Sequence, residues 1–281
     1  MIIKKIRMKY RALCTDIDGT FLDKNREISP RTLSAIKQLP ADFPIILASS
    51  RMPSAMRHLQ ATMNRLDNPM ICYNGGFVIH YGDNGLELLD TVKIPLETCD
   101  HITSLTAGSD IHTSLYFEDE WYAPQDDAWT QKEITSTKVQ PVIKAWGAVH
   151  EDWHSRKAGA HKVMCMGPAD QMDRLYQQLK QTKNEDLHLY RSKDTYLEIA
   201  PKSISKASAL KQLLALKYDI SLSEVIAFGD NYNDIELLKE VGYGVAVSNA
   251  REEVKAVADE ITATNKEDGV AMMIEKHLLG D

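Results

Sequence analysis

The sequence predicts an α/β protein: a doubly wound parallel sheet with a second, α+β domain inserted into it. Short, continuously apolar runs alternate with helical patterns at both ends of the chain, and such runs mark strands that helices bury on both faces. Between about Gly82 and Lys193 this rhythm gives way to turn-rich segments that hold all four tryptophans, Trp121, Trp129, Trp146 and Trp153. Polar clusters follow the apolar runs, which is where ligands bind in sheets of this kind.

The first strand is Ala12-Leu13-Cys14. A helix runs from Ser29 to Leu39, with Ser29 as N-cap and Pro30 at the first helical position. Ile45 to Ala48 is the second strand, Pro53 to Leu66 the second helix and Met70-Ile71-Cys72 the third strand, a β-α-β-α-β series. Inside the insertion, Ser114 to Phe117 and Lys162 to Met166 read as strands. Pro168-Ala169-Asp170 opens a helix to Lys180 with Met172, Leu175, Tyr176 and Leu179 on one face. The first rhythm resumes with a helix from Ser205 to Tyr218, a strand Val225 to Phe228, a helix Asp234 to Val241, a strand Gly244 to Val247 and an amphipathic helix Val270 to Leu279. The core domain is expected over 1–82 and 194–281, and the inserted domain over 83–193.

With 281 residues, 43% hydrophobic and 26% charged, the chain has ample material for two cores. Its net charge of −7 argues against nucleic-acid or anionic-membrane partners, because phosphate surfaces attract a basic face. An anionic substrate therefore needs locally gathered positive charge. Cys14, Cys72, Cys99 and Cys165 are far apart with no CxxC, which fits reduced, buried thiols better than a zinc or dithiol site. Met1 to Tyr10 carries Lys4, Lys5, Arg7 and Lys9, too charged for a signal-peptide core, and no run approaches ~20 apolar residues. A cytoplasmic protein, monomer or weak homodimer, is expected.

Asp16-Ile17-Asp18-Gly19-Thr20 follows the first strand. In extended chain, residues i and i+2 project to one side roughly 6–7 Å apart, so Asp16 and Asp18 can serve as a nucleophile beside an acid/base; the alternative is a solvated turn. Ser49-Ser50-Arg51 after the second strand offers a hydroxyl, N–H groups and a guanidinium, the parts of a phosphate site, or else a polar loop before a helix. Tyr73-Asn74-Gly75-Gly76 by itself is a turn. Lys206 opens a helix, where its charge is unfavourable unless an anion binds; a lone lysine is more often solvated surface. Gly229-Asp230-Asn231-Tyr232-Asn233-Asp234 supplies hard oxygen ligands suited to Mg²⁺, or caps a helix, and both can hold. His150-Glu151-Asp152-Trp153-His154 matches a zinc-protease pattern, but its polar flank Ser155-Arg156-Lys157 argues against that reading.

Taken together and in this order, Asp16 to Thr20, Ser49, Lys206 and the Gly229 to Asp234 run resemble the haloacid dehalogenase (HAD) superfamily of phosphatases, whose fold is a Rossmann-like core. The large insertion, Tyr196 to Pro201 ahead of the lysine and Asn265 to Ala271 are similar to the Cof-type branch (subfamily IIB) with its α/β cap of C2 type. The resemblance implies a Mg²⁺-dependent phosphomonoester hydrolase acting on a small phosphorylated metabolite, such as a sugar phosphate, flavin mononucleotide or pyridoxal phosphate. It implies that Asp16 attacks phosphorus to form an aspartyl-phosphate and that Asp18 protonates the leaving oxygen and then activates water. Mg²⁺ is then held by Asp16, the Asp18 carbonyl and Asp230, with Asp234 a ligand through water or an orienting group. Ser49 and Lys206 bind the transferring group, and Ser50, Arg51, Asn74, Gly75 and Asn233 lie at the substrate.

Three positions depart from the branch: Ser50 and Ala207 replace usual glycines, and Gly76 a usual alanine. If position 50 requires φ > 0, Ser50 is strained by about 1 kcal/mol. The cap tryptophans are expected to form the cap's own core rather than to contact the leaving group. Two rival functions follow from the same residues. One is a phosphomutase that returns the phosphoryl group to sugar, and the other is a non-catalytic phosphate sensor, against which the presence of both Asp16 and Asp18 argues.

Overall fold

The computed structural model describes residues 9–82, 84–183 and 185–280. In chain order its elements are β1 (Ala12–Thr15), α1 (Pro30–Gln38), β2 (Ile45–Ala48), α2 (Ser54–Thr62), β3 (Met70–Cys72), β4 (Phe77–Gly82), β5 (Gly85–Thr91), α3 (Leu96–Thr106), β6 (His112–Phe117), β7 (Glu120–Ala123), α4 (Ala128–Thr137) and β8 (Val142–Ile143). There follow α5 (Trp146–Arg156), β9 (Lys162–Met166), α6 (Ala169–Lys183), β10 (Leu187–Lys193), β11 (Tyr196–Pro201), α7 (Lys206–Lys217), β12 (Val225–Gly229), α8 (Ile235–Glu240), β13 (Tyr243–Val247), α9 (Glu252–Lys255), β14 (Glu260–Thr262) and α10 (Gly269–Ile274). The charged start of the chain with Lys4, Lys5 and Arg7 lies outside the described residues.

The contacts divide the chain into two units. One comprises the chain up to Ser49, Met56–Leu89 and the chain from Ser205 onward; the other comprises Ser50–Ala55 and Asp90–Ile204. The division falls later than the expected 82/83 and 193/194 at both ends. The reason is pairing: β4 and β5 extend the first sheet, while β10 and β11 pair within the second.

The first unit holds a sheet in the order β14-β13-β12-β1-β2-β3-β4-β5. Neighbours from β14 to β3 are parallel and β4 returns antiparallel. The chain winds outward from β1 on one side and from β12 on the other, so these two adjacent strands form the topological switch point where a ligand crevice opens. Register aligns their ends: Thr15 lies opposite both Phe228 and Leu47. Asp16, Asp230 and Ser49 therefore leave the sheet along one edge. Leu210, Leu213 and Leu214 of α7, with Leu237 and Leu238 of α8, pack on Cys14, Ile46, Ile71 and Ala227; each fully buried leucine contributes about 1.5–3 kcal/mol. Ser29 caps α1 by accepting from Thr32 N–H, with Pro30 next, as its sequence predicts. The second helix is shorter than expected, ending at Thr62 ahead of the left-handed Asn64.

The second unit holds the order β10-β11-β9-β6-β7-β8, antiparallel except for β7 with β8. Alternation along β6 divides its side chains. Leu115 and Phe117 meet α3, α5 and α6 through Ile102, Trp153 and Leu175, while His112, Ser114 and Tyr116 point to the opposite face. Trp153 is fully buried in this core with Trp146 packed against it, whereas Trp121 is buried against Tyr116 on the opposite face, outside the core expected for it, and Trp129 is half-buried. All four cysteines are free and buried. No helix among the described residues is long and apolar enough to cross a membrane.

Candidate active site

Asp16 is anchored where β1 ends, its N–H donating to Phe228 O at 3.0 Å. The chain then turns back on Ile17 O, which accepts from the N–H groups of Phe21 and Leu22. Gly19 makes that turn possible in two ways. Its φ is +88°, and a Cβ there would sit 2.5 Å from Asp230 Oδ2. Thr20 Oγ1 donates to Asp230 Oδ1 at 3.0 Å, and Asn249 Nδ2 to Gly19 O at 2.8 Å. The loop after β1 is thus tied to the loops after β12 and β13. The Asp18 carboxylate is 44% exposed and pairs with Arg26 at 2.8 Å.

Lys206 is the first residue of α7, after Ser205, which caps the helix by accepting from Ser208 N–H. Lys206 is not the solvated surface lysine of the alternative reading: it is 0% exposed. Its Nζ donates to Asp16 Oδ1 at 2.6 Å and to Asp234 Oδ1 at 2.7 Å, and two carboxylates offset the unfavourable helix-end position. The other Asp234 oxygen accepts from the N–H groups of Asp230 (3.0 Å) and Asn231 (3.1 Å). Both of its oxygens are therefore engaged in holding the lysine and the loop.

The turn after β3 lies against this helix start. Gly75 has φ +111°, and a Cβ there would meet Ser205 O at 2.7 Å. Asn74 is left-handed with φ 58°, donates its N–H to Ser49 O at 2.9 Å and accepts from Asn233 Nδ2 at 2.9 Å. Ser49 is 2% exposed and its N–H donates to Ile71 O.

Charge here is unbalanced. Oxygens of Asp16, Asp230 and Asp234 lie within 4.8 Å of one another, and three carboxylates against one ammonium leave an excess of two negative charges. Burial pushes the Asp16 pKa well above the ordinary range; Lys206 pulls it down, and Asp234 and Asp230 push it up again. Burial also raises Asp230, with help from Asp234, to about 6. For Lys206, burial works against the ammonium, but Asp16 and Asp234 outweigh it and hold the proton on. Such a cluster holds two of its acids ready to take up either protons or a cation.

Of the residues singled out in the sequence, Asp16, Asp18, Ser49, Asn74, Gly75, Lys206, Asp230, Asn233 and Asp234 belong to the first unit, and Ser50 and Arg51 to the second. Ser50 is not among the residues with positive φ, so the strain weighed for it is absent. His150 and His154 share α5, but His150 pairs with Asp100 and neither belongs to a metal-binding group among the described residues. Thr20, Arg26 and Asn249 hold the acids and their loop without having been singled out as functional. Thr20 carried a signal through its place in the pentapeptide, but Arg26 and Asn249 carried none.

The same architecture recurs in known proteins. A family model described as haloacid dehalogenase-like hydrolase matches residues 13–274. A protein of Haemophilus influenzae is 31% identical over 272 residues, covering 96% of this chain and 98% of its own. A 5-amino-6-(5-phospho-D-ribitylamino)uracil phosphatase of Bacillus subtilis is 26% identical over 269 residues, covering 94% of this chain and 96% of its own. The crystal structure of a haloacid dehalogenase-like hydrolase from Bacteroides thetaiotaomicron superposes with a TM-score of 0.84 at 28% identity, covering 95% of this chain and 99% of that one. The chain belongs to the haloacid dehalogenase-like hydrolase family, in its Cof-type branch, and is an enzyme of the phosphatase type.

Proposed function

We propose that the chain hydrolyses phosphomonoesters of small metabolites, with Asp16 as nucleophile, Asp18 as general acid and base, and Mg²⁺ as the cation of the site. One observation carries the reading: Lys206, 0% exposed, bridges Asp16 and Asp234 while Asp230 stands in the same carboxylate cluster. A structural ion pair needs one acid for one base; the excess of two negative charges here suits a divalent cation with oxygen ligands. Asp16, Asp230 and the main-chain carbonyl of Asp18 would hold Mg²⁺, with Asp234 orienting the loop. When bound, the ion supplies the missing positive charge, which favours ionised carboxylates and screens Asp16 from an incoming phosphate.

The chain's own residues then divide the work. Lys206 and Ser49 bind the non-bridging oxygens, and Ser50, Arg51, Asn74, Gly75 and Asn233 face the ester. An Asp16 oxygen attacks phosphorus as the ester P–O bond breaks, and Asp18 gives its carboxyl proton to the leaving oxygen. Water opens the resulting aspartyl-phosphate: Asp18, now a carboxylate, takes a proton from the water as its oxygen attacks phosphorus, and Asp16 departs as a carboxylate. The half-exposed position of Asp18 gives it the access to solvent that this proton traffic needs.

The test is phosphate release, with and without Mg²⁺, from ribityl and hexose phosphates, pyridoxal phosphate and flavin mononucleotide. Asp16→Asn is expected to lower turnover at least about 100-fold with an unchanged circular dichroism spectrum, because an amide is a poor nucleophile. A wild-type protein inert across the panel would sink the proposal, and an isomerised sugar phosphate without free phosphate would replace hydrolysis by group transfer.

A further inference from the structure

Ser50–Ala55 follows Ser49 in sequence, yet its contacts place it in the second unit. Two side chains of that unit hold it. Lys162 on β9, 7% exposed, donates from Nζ to the main-chain oxygen of Ser50 at 3.0 Å, and its ammonium lies 4.3 Å from the centroid of the Tyr116 ring. Asp119, in the turn between β6 and β7, accepts at Oδ1 from the N–H of Ser54, the first residue of α2, at 2.7 Å. Between these anchor points lies Arg51, 7% exposed, whose Nη1 donates to Ala55 O at 3.0 Å.

We infer that Lys162 and Asp119 are positioning residues for Arg51, fixing its segment at both ends. Charge-assisted hydrogen bonds suit the task, since they are stronger than neutral ones and demand a defined geometry. Lys162 is buried against an aromatic face, which strengthens its hold. The catalytic consequence rests on the proposed role of Arg51 at the substrate.

Two measurements on the full chain test it: steady-state kinetics with p-nitrophenyl phosphate, and tryptic cleavage of the Arg51–Met52 bond followed by mass spectrometry. Lys162→Met and Asp119→Ala are each expected to raise KM about tenfold with kcat within about twofold, the mark of lost binding and not of lost chemistry. Cleavage after Arg51 should quicken about tenfold as the segment opens locally. Lys162→Arg and Asp119→Asn keep a donor and an acceptor and should restore both readouts, which a mere folding defect would not allow. Unchanged cleavage in both disabling variants overturns the inference, as does faster cleavage with an unchanged KM. Should the wild type release no phosphate, the hydrolase reading fails, and the cleavage rates still decide whether the two side chains hold the segment.

Discussion

In the first unit the fully buried Lys206 is an ammonium held between two carboxylates, whereas in the second the fully buried His161 is a neutral ring. Glu118 N–H donates to His161 Nδ1 at 2.9 Å, which leaves the ring proton on Nε2 for Thr91 Oγ1, also at 2.9 Å. The ring stacks on Phe117 at 5.4 Å. Burial, with Lys93 nearby, lowers its pKa to about 3. A second chain of bonds runs close by: Trp121 Nε1 donates to Ser114 Oγ, Ser114 meets His112 Nε2 at 2.9 Å, and His112 Nδ1 meets Asp127 Oδ2 at 2.9 Å. Its outer end caps α4 through Thr130 N–H. Burial pushes Asp127 up, but Thr130 N–H and His112 outweigh it and bring its pKa to about 2.

The difference separates function from architecture. Ser114, His112 and Asp127 have the connectivity of a hydrolytic triad, but Ser114 is 0% exposed and its oxygen already accepts the Trp121 indole N–H. That chain closes on itself and braces β6, β7 and α4. The Lys206 cluster does not close, because it carries more negative charge than its lysine balances. Completed networks hold a fold together, and incomplete ones invite a ligand.

The sharpest way to break the contrast is Lys206→Met. It leaves Asp16 and Asp234 buried without their cation and is expected to cost about 3–5 kcal/mol in urea unfolding, with part regained on adding Mg²⁺. No loss of stability would mean that the cluster is not held by charge.

Acid separates the units by sign. For His161, the unfolded chain binds its proton near pH 6.5 and the folded one only near 3. Its contribution to stability is therefore complete above pH 6.5 and is lost as pH falls toward 3, on the order of 5 kcal/mol in all. All four tryptophans lie in the second unit, so their fluorescence during denaturant titrations at several pH values reports this loss, and His161→Gln should remove it. A pH-independent midpoint in the wild type between pH 6.5 and 4 would contradict a neutral His161.

The smallest effect sharpens the other side. Asp230 titrates near 6 when folded, against 3.8 unfolded, so the folded state takes up the proton first as pH falls. Metal-free protein should therefore gain stability in the first unit from about pH 6 down to 3.8, the reverse of the second unit. At neutral pH, Mg²⁺ at 100 times its dissociation constant should add about 2.7 kcal/mol, and Asp230→Asn should lose most of that gain. Hydrogen exchange of the β12 amides follows this unit separately.

Much of this was legible in the chain itself. Continuous apolar runs marked the parallel strands, and Asp16 to Thr20 and Gly229 to Asp234 marked two loops that the register of β1 and β12 places side by side. Hidden were features that depend on which distant surfaces meet. Arg26 is one exposed arginine among many until the turn after β1 brings it to Asp18, and Asn249 is a turn residue until it reaches Gly19 O. Ser50–Ala55 reads as a loop leading into the second helix, because nothing local tells that Lys162 and Asp119 claim it. The burial of Lys206 was hidden for the same reason: its two partners stand 190 and 28 residues away.

The second unit ends at Ile204 and the first resumes at Ser205, so a single residue separates the end of the insertion from the ammonium at 206. An evolving lineage that keeps Lys162 and Asp119 can rebuild other parts of the insertion, but shortening or lengthening the segment through Lys202 and Ser203 would pull directly on the lysine. An insertion grafted from a relative should thus need its final few residues kept, together with a lysine and an acid at the places of Lys162 and Asp119.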